Sequence, residues 1–233
     1  GVASGSAGCL AAMTAVHAEL GLDSAAKLAQ VCADRLAELV ERTDGRCATG
    51  GDLDRTSFAH GSAGVGWALA RFAARQGAGS RYAPAARAAL ARAGGLAQGR
   101  VPGWCAGTAG LVAARATAGA LTVPTRRRAL RMLAGGPLLR DLSPCHGELG
   151  VAEALVVLAG REASQAARHR AGQILDAIAR HGAYCGSPDG VATPGLLSGL
   201  SGIGYGLLRL GFAERVPSAL LLEPAADRPG PKD

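Results

Sequence analysis

The residues of this sequence with the most chemical potential are thiols and imidazoles that stand just before glycines. Cys145 and His146 are adjacent and directly precede a glycine. Cys105 stands two residues before another glycine, as Cys145 does, and His60 stands one residue before a third, as His146 does. If these glycines begin equivalent structural units, the four side chains converge. Two cysteines and one histidine are ligands that suit zinc, and three protein ligands leave the open position typical of catalytic zinc sites.

The same residues also allow a purely structural interpretation. The chain has no CxxC pair, so spacing alone is only a partial signal for a metal. Cys105 and Cys145 could be small buried thiols, and His146 could be an imidazole at the start of a helix. His60 could be a fourth ligand, a general acid or base, since imidazole exchanges protons near neutral pH, or a plain loop residue.

A Gly-x-x-Gly step recurs five times, and each step opens an apolar run of helical length. The steps begin at Gly5, Gly61, Gly107, Gly147 and Gly199, so they are 56, 46, 40 and 52 residues apart. A mixed or charged segment follows each of the first four runs. We predict apolar helices over 4–20, 61–75, 108–121, 147–159 and 199–210, and amphipathic partners over 23–42, 84–93, 124–133 and 162–181.

This alternation predicts an all-α fold, an α/α toroid in which apolar helices form an inner ring and amphipathic helices an outer one. A helix that is apolar all round must be buried on all sides, whereas a helix with one apolar stripe faces solvent. Two helices per unit at this period indicate a helical repeat. The Gly-x-x-Gly steps would then lie at the N-termini of the inner helices, all at one rim of the ring.

Composition narrows the class of protein further. The 233 residues are 48% hydrophobic but only 3% aromatic, which favours Ala- and Leu-rich helix packing. No charge-free apolar run reaches the roughly 18 residues of a membrane span. Six scattered cysteines differ from a secreted disulfide framework, so we expect a cytoplasmic protein. The net charge of +7 without a recognition motif indicates solvated helix faces rather than nucleic-acid binding, although Arg126–Arg128 with Arg131 could attract an acidic peptide.

Several motifs resemble those of the lanthionine synthetase C-like family, the lanthipeptide cyclases. WCAG at 104–107 and PCHG at 144–147 look like the family's zinc-binding signatures, and FAHGSAGVG at 58–66 looks like its catalytic-histidine motif. The segments 194–210 and 215–224 resemble the C-terminus of class II bifunctional synthetases, in which the cyclase domain follows a dehydratase domain. The resemblance spans the whole chain, and the order of the motifs is specific.

The resemblance implies a zinc-dependent cyclase that modifies peptides in antibiotic biosynthesis. Zinc held by Cys105, Cys145 and His146 would activate a cysteine thiolate of a ribosomal precursor peptide, made of a leader and a dehydrated core. The thiolate would add to dehydroalanine or dehydrobutyrine and close a lanthionine or methyllanthionine ring. A fused or separate dehydratase would supply the dehydrated residues.

Other residues take their expected roles from the same resemblance. His60 would be catalytic and would protonate the enolate carbon formed by the addition or otherwise shuttle the proton. Trp104 would pack beside the metal, and Trp104, Arg100 and Tyr205 are the candidates for contact with the substrate. Arg100 stands one residue from the place of an arginine that some members carry before the Trp-Cys pair. Glu148 is expected to support the N-terminus of its helix rather than to take part in catalysis.

The chain also departs from the family pattern. Gly1 stands where the family usually carries Asp, four residues before the first glycine of a step, and Ala106 replaces a common His. The family has seven inner helices, whereas five steps are present here. We therefore expect 1–233 to be one cyclase domain shortened at its N-terminus. Two alternatives stay open, namely a catalytically silent zinc toroid that binds peptide as a scaffold, and an unrelated α/α barrel whose thiols are structural.

Overall fold

The computed structural model describes residues 1–44, 56–96 and 101–224. This part of the chain consists of α-helices joined by turns and loops, and it contains no strand. A short 3-10 helix lies at Pro188–Gly190. The prediction of an all-α protein is therefore confirmed. The helices are α1 (Ser6–Leu20), α2 (Asp23–Arg42), α3 (Ser62–Gln76), α4 (Ala83–Arg92), α5 (Thr108–Thr117), α6 (Val123–Gly135), α7 (Glu148–Leu158), α8 (Arg161–His181) and α9 (Leu200–Gly211).

The helices form two layers, as the α/α toroid requires. The odd-numbered helices pack side by side in the order α1, α3, α5, α7, α9, and make the inner layer. The even-numbered helices lie outside them, with α2 on α1, α4 on α3, α6 on α7 and α5, and α8 on α7 and α9. The inner helices therefore follow an arc whose two ends are α1 and α9.

Burial follows the predicted difference between the two kinds of helix. Along α3, every residue from Ser62 to Leu69 is buried, because the helix has neighbours on all sides. On α8, the buried residues form one stripe with spacings of three or four positions: Ala163, Ala167, Arg170 and Ile174. This stripe is the face of an amphipathic outer helix.

One predicted helix is shorter than expected. The apolar run from Thr108 continues to Leu121 in the sequence, but α5 ends at Thr117. Gly119 has a φ of +65°, a left-handed conformation that closes helices and that glycine adopts without steric cost. The prediction of a helix over 108–121 was therefore wrong at its C-terminal end.

Backbone hydrogen bonds connect the rim loops that precede the inner helices. Ala3 donates to the carbonyl of Ala59, Ala59 to Cys105, Cys105 to Cys145 and Cys145 to Leu197, each at 2.9 Å. These five residues all stand two positions before the first glycine of their step. Each first glycine in turn is the N-cap of an inner helix. The predicted equivalence of the five repeats is therefore confirmed in three dimensions.

The second glycine of each step is required by close approach of the backbone. A Cβ atom on Gly64 would overlap the carbonyl oxygen of Phe58, and one on Gly110 would overlap that of Trp104. In each repeat, the rim loop folds over the first turn of its own helix, so a side chain has no room. The same relation holds between Gly8 and Val2, Gly150 and Pro144, and Gly202 and Leu196.

The chain after α9 folds back onto the inner helices. Leu220 and Leu221 are buried in the main hydrophobic core. The guanidinium of Arg71 in α3 donates to the carbonyls of Leu221 and Leu222, which fixes this segment to a helix near the start of the chain. Throughout the described residues, none of the helices combines the length and hydropathy needed to cross a membrane.

Candidate metal centre

Three of the predicted site residues meet where two rim loops run side by side. Cys105 lies in the loop before α5, and Cys145 and His146 lie in the loop before α7. The N–H groups of Trp104 and Cys105 both donate to the carbonyl of Cys145, at 3.0 and 2.9 Å. One potential ligand atom from each of the three residues lies within 4.8 Å of the others. Among the described residues, this is the group that could hold a metal ion.

The donor set and its spacing fit a zinc ion. A tetrahedral zinc with two thiolates and one imidazole needs ligand atoms about 3.3–3.8 Å apart. The separations of up to 4.8 Å therefore require only a small rotation of the side chains. The thiols are half-buried and the imidazole is 48% exposed, so the centre lies at the protein surface, where a further ligand can enter.

The two thiols are electrostatically unequal. The pKa of Cys105 is lowered to about 6 because the Cys145 thiol hydrogen-bonds to its sulfur and His146 lies nearby. The pKa of Cys145 is raised, since its thiol hydrogen-bonds to Cys105, is partly buried and lies close to the thiolate charge. Of the two sulfurs, Cys105 is therefore the one that loses its proton at the lower pH, while Cys145 keeps its proton. A bound cation would displace that proton.

The imidazole of His146 is anchored on its Nε2 side. This nitrogen lies 2.9 Å from the carbonyl oxygen of Gly186 and 3.3 Å from a carboxylate oxygen of Asp141. Asp141 belongs to the same rim loop as the histidine, whereas Gly186 belongs to the loop between α8 and α9. Metal-ligating histidines in proteins commonly have a carbonyl or carboxylate partner of this kind.

Residues 1–221 match the family described as lanthionine synthetase C-like protein. The chain belongs to the lanthionine synthetase C-like family. No protein with a curated description matches the chain significantly. The family predicted from the sequence is therefore confirmed, whereas the particular likeness to class II bifunctional synthetases stays a prediction.

In this lanthionine synthetase C-like protein, His60 lies at the same rim as the metal-ligand group but outside it. Its side chain is exposed in the loop before α3, and its backbone N–H donates to the Ser57 hydroxyl oxygen at 3.1 Å. Its neighbour Ala59 donates to the carbonyl of Cys105, so the two loops are adjacent. A Cβ atom on Gly1 would lie 2.7 Å from the Cα of His60. The position at which the family usually carries Asp is thus directly beside this histidine.

The three candidates for substrate contact fall in different places. Trp104 is buried beside Cys105, and its ring centroid lies 4.9 Å from that of Phe58; among the described residues its indole N–H has no hydrogen-bond partner. Arg100 lies outside the described residues. The Tyr205 hydroxyl donates to the carbonyl of Pro217 and accepts from the N–H of Ala219 at 2.6 Å. Tyr205 therefore holds the segment after α9, and its role toward substrate stays a prediction.

Glu148 holds in place the helix that follows the Cys145-His146 loop. It is fully buried at the start of α7, forms an ion pair with Arg170 of α8, and accepts from the N–H of Leu139 at 3.0 Å. Arg170 also donates to the carbonyls of Leu133 and Gly136. The expected supporting role therefore extends beyond the helix terminus, because the carboxylate fastens α7 to an outer helix and to the preceding loop.

Enclosed space in the protein also lies away from this chemistry. A cavity of about 640 Å³ separates the C-terminal ends of α3 and α5 from α4, and it is lined mainly by alanines and glycines. The metal-ligand group lies instead at the N-terminal ends of the inner helices α5 and α7. The donor atoms, and not the cavity, therefore mark the candidate functional site.

Sequence reasoning missed Asp141 and Gly186, the two partners of the His146 ring. Asp141 could have been noticed as the acidic residue nearest before the Cys-His pair in the same loop. Gly186 lies in a turn-rich segment and has no side chain, so its residue type carries no signal of a contact with the histidine. Cys185 is buried in a small apolar cluster and is not part of the metal-ligand group.

Proposed function

We propose that this protein is a zinc-dependent lanthionine cyclase that closes thioether rings in a dehydrated precursor peptide. The observation that carries the proposal is the convergence of two cysteines and one histidine at an exposed rim in a chain of the lanthionine synthetase C-like family. The three side chains leave one position of a tetrahedral zinc open. A peptide cysteine is the ligand that this family membership favours for that position.

The reaction is the addition of a thiol across a carbon–carbon double bond. Zinc, when bound, would supply positive charge that lowers the pKa of a coordinated thiol and makes a thiolate available at neutral pH. The peptide sulfur forms a bond to the β-carbon of dehydroalanine or dehydrobutyrine as the π bond breaks. The α-carbon then takes a proton, so the product contains the same atoms as the two reacting residues.

The residues of the rim divide the work of this addition. Cys105, Cys145 and His146 would hold the cation. The backbone hydrogen bonds between adjacent rim loops keep these residues next to one another. His60 is exposed in the adjacent loop and would donate the proton to the α-carbon. The thiol proton released at the start would leave through solvent.

A second candidate function is a zinc-containing scaffold that binds peptide without cyclising it. The observation that favours it is Gly1, which brings no carboxylate to the position beside His60. Gly1 therefore provides no acidic group that could hold the proton of His60 in place. The two functions share the metal and differ in whether thiols are consumed.

Metal analysis tests the part of the proposal that both functions share. The purified protein is expected to contain one zinc per chain, and Cys145→Ala to lose most of it. Cys185→Ala is the matched control, because it removes a buried thiol outside the ligand group. Less than stoichiometric zinc in the wild type, unchanged by Cys145→Ala, would favour an α/α barrel with structural thiols.

Ring formation separates the cyclase from the scaffold. A peptide with one dehydroalanine and one cysteine is incubated with the zinc protein, and free thiols are counted by alkylation and mass spectrometry. We expect thiols to disappear, and His60→Ala to retain zinc but to slow their loss about 100-fold or more. His169→Ala, which removes an exposed histidine of α8, should react like the wild type. If thiols stay free while zinc is bound, the protein is not a cyclase.

A further inference from the structure

We infer that Asp141 and the carbonyl of Gly186 together hold the ring proton of His146 on Nε2, so that Nδ1 is the nitrogen offered to the metal. This inference rests on the proposed zinc site and adds two positioning residues to it. Neither residue belongs to the metal-ligand group. Both act through the orientation and the tautomer of one ligand.

The contacts of the ring leave little choice of tautomer. Nε2 of His146 is 2.9 Å from the Gly186 carbonyl oxygen, and a carbonyl oxygen can only accept a hydrogen bond. The same nitrogen is 3.3 Å from Oδ2 of Asp141, which in its ionised form also only accepts. Two acceptors therefore face one ring nitrogen, and this nitrogen must carry the proton. A neutral imidazole then has its lone pair on Nδ1.

The carboxylate of Asp141 is itself held in place. Its Oδ1 accepts from the N–H of Ser143 at 2.7 Å, and its Oδ2 accepts from the Ser143 hydroxyl at 3.1 Å. The turn formed by these bonds lies within the rim loop that carries both Cys145 and His146. The carboxylate is consequently presented to the imidazole by the loop that also presents the thiol.

Gly186 brings the second acceptor from a distant part of the chain. Its N–H donates to the carbonyl of Ser198 at 2.8 Å, and the N–H of Leu142 donates to the carbonyl of Tyr184 at 3.0 Å. A Cβ atom on Gly186 would lie 2.6 Å from Nε2 of His146 and 2.8 Å from Oδ2 of Asp141. Only glycine leaves space here for both the imidazole and the carboxylate. The absence of a side chain at position 186 therefore allows His146 to take this orientation.

The first experiment changes the carboxylate without changing its shape. Asp141→Asn keeps one oxygen, so either the Ser143 N–H or the Nε2–H of His146 faces an amide NH₂ instead of an acceptor. We expect zinc affinity, measured by competition with a chromogenic chelator, to fall about 10–100-fold, which is typical when the partner of a ligating histidine is lost. Asp176→Asn, the same change at an exposed position of α8, should bind zinc like the wild type.

A second variant and a spectroscopic measurement on the wild type make the test independent of one mutation. Gly186→Ala should also weaken zinc binding by displacing the imidazole. In protein labelled with ¹⁵N-histidine and loaded with ¹¹³Cd, scalar coupling identifies the coordinating nitrogen directly. We expect coupling to Nδ1 of His146, and in metal-free protein we expect the proton on Nε2.

The outcomes separate this inference from the proposed function. Coupling to Nε2, or wild-type affinity in Asp141→Asn, overturns the inference while leaving the zinc site intact. Failure of the wild type to bind either metal overturns the proposed function, and the ¹⁵N spectrum of the metal-free protein then decides the inference, since a proton on Nδ1 contradicts it. If Asp141→Asn does not fold, the coupling measured in the wild type is decisive.

Discussion

Cys105 and Cys145 do not act as two independent thiols. The hydrogen bond between them lowers the pKa of Cys105 to about 6 and raises that of Cys145. Because the sulfur with the lowered pKa is ionised first, the metal-free centre already carries one thiolate at neutral pH. A metal then has to displace only the remaining proton, which lowers the cost of assembling the site near neutral pH.

This asymmetry predicts a pH profile for alkylation. In metal-free protein, the rate at Cys105 should change little from about pH 8 to about pH 7, because a group with a pKa of about 6 stays ionised there. An ordinary thiol has a pKa near 8.5, so its rate should fall close to tenfold over the same interval. Iodoacetamide labelling followed by peptide mass spectrometry measures both rates.

Removal of the partner thiol provides the control for this profile. Cys145→Ala deletes the largest cause of the shift, so the Cys105 profile should move to higher pH. An unchanged profile in Cys145→Ala, or a tenfold fall per pH unit in the wild type, would show that the Cys145 thiol does not lower the pKa of Cys105.

At the scale of the helices, the Gly-x-x-Gly step combines two separate requirements. The first glycine begins the helix as its N-cap, and the second leaves room for the rim loop to cross the first turn. Apolar residues before and after the step vary, but all five steps share an extended N-cap glycine and a loop that crosses the first turn. The step therefore places each rim loop, and with it each site residue, at a constant position relative to its helix.

Two alanine substitutions in α9 test the requirement for space. Gly202→Ala would place a Cβ against the carbonyl of Leu196 and should lower the free energy of unfolding by about 1–3 kcal/mol. Gly204→Ala, two residues later, meets no atom within 4 Å and should stabilise the helix by up to about 1 kcal/mol. Urea unfolding measures both, and equal effects would show that the step is not sterically constrained.

The buried pair of Glu148 and Arg170 fastens the inner helix α7 to the outer helix α8. Arg170→Met should cost about 3–5 kcal/mol of unfolding free energy, because it leaves a buried carboxylate without its cation. Adding Glu148→Gln to this variant should restore part of that loss. Arg168→Met, an exposed change on the same helix, is the control and should have little effect on urea unfolding.

The behaviour of the double variant decides the interpretation. If Glu148→Gln with Arg170→Met is less stable than Arg170→Met alone, the carboxylate is stabilised chiefly by the Leu139 N–H rather than by the arginine. The zinc content of the same variants shows whether the ion pair also supports the metal-ligand group, because Glu148 is the first helical residue after the loop that carries Cys145 and His146.

At the scale of the whole molecule, the segment after α9 connects the two halves of the arc. Arg209 of α9 pairs with Glu153 of α7 and donates to the carbonyl of Val216, so the segment begins close to the last inner helices. It then reaches Arg71 in α3 through the carbonyls of Leu221 and Leu222. Residues far apart in the sequence thus share one hydrophobic core.

Shortening a buried side chain of this segment should destabilise the entire fold. Leu221→Ala is expected to lower the free energy of unfolding by about 2–5 kcal/mol, as large-to-small changes in a core do. Leu208→Ala removes a leucine of α9 that is 54% exposed and should change stability only slightly. If both variants unfold at the same urea concentration, the segment does not contribute to the common core.

The helices and their order could be predicted from the sequence because the signals are local. Apolar periodicity separates an inner helix such as α3 from an outer helix such as α8 within a single window of residues. The Gly-x-x-Gly step marks where each inner helix begins. The end of α5 was missed because the apolar run continues past Gly119, whose left-handed conformation stops the helix first.

The family, the all-α repeat and the proximity of Cys105, Cys145 and His146 were predictable from the sequence, because equivalent positions of neighbouring repeats lie side by side at one rim. The groups that surround these three side chains depend instead on the tertiary structure. His146 and Gly186 are 40 residues apart, and Glu148 and Arg170 are 22 apart. Such pairs depend on how helices and loops pack around one another, and no periodicity in the sequence encodes that packing. The tautomer proposed for the metal-binding histidine follows from those contacts.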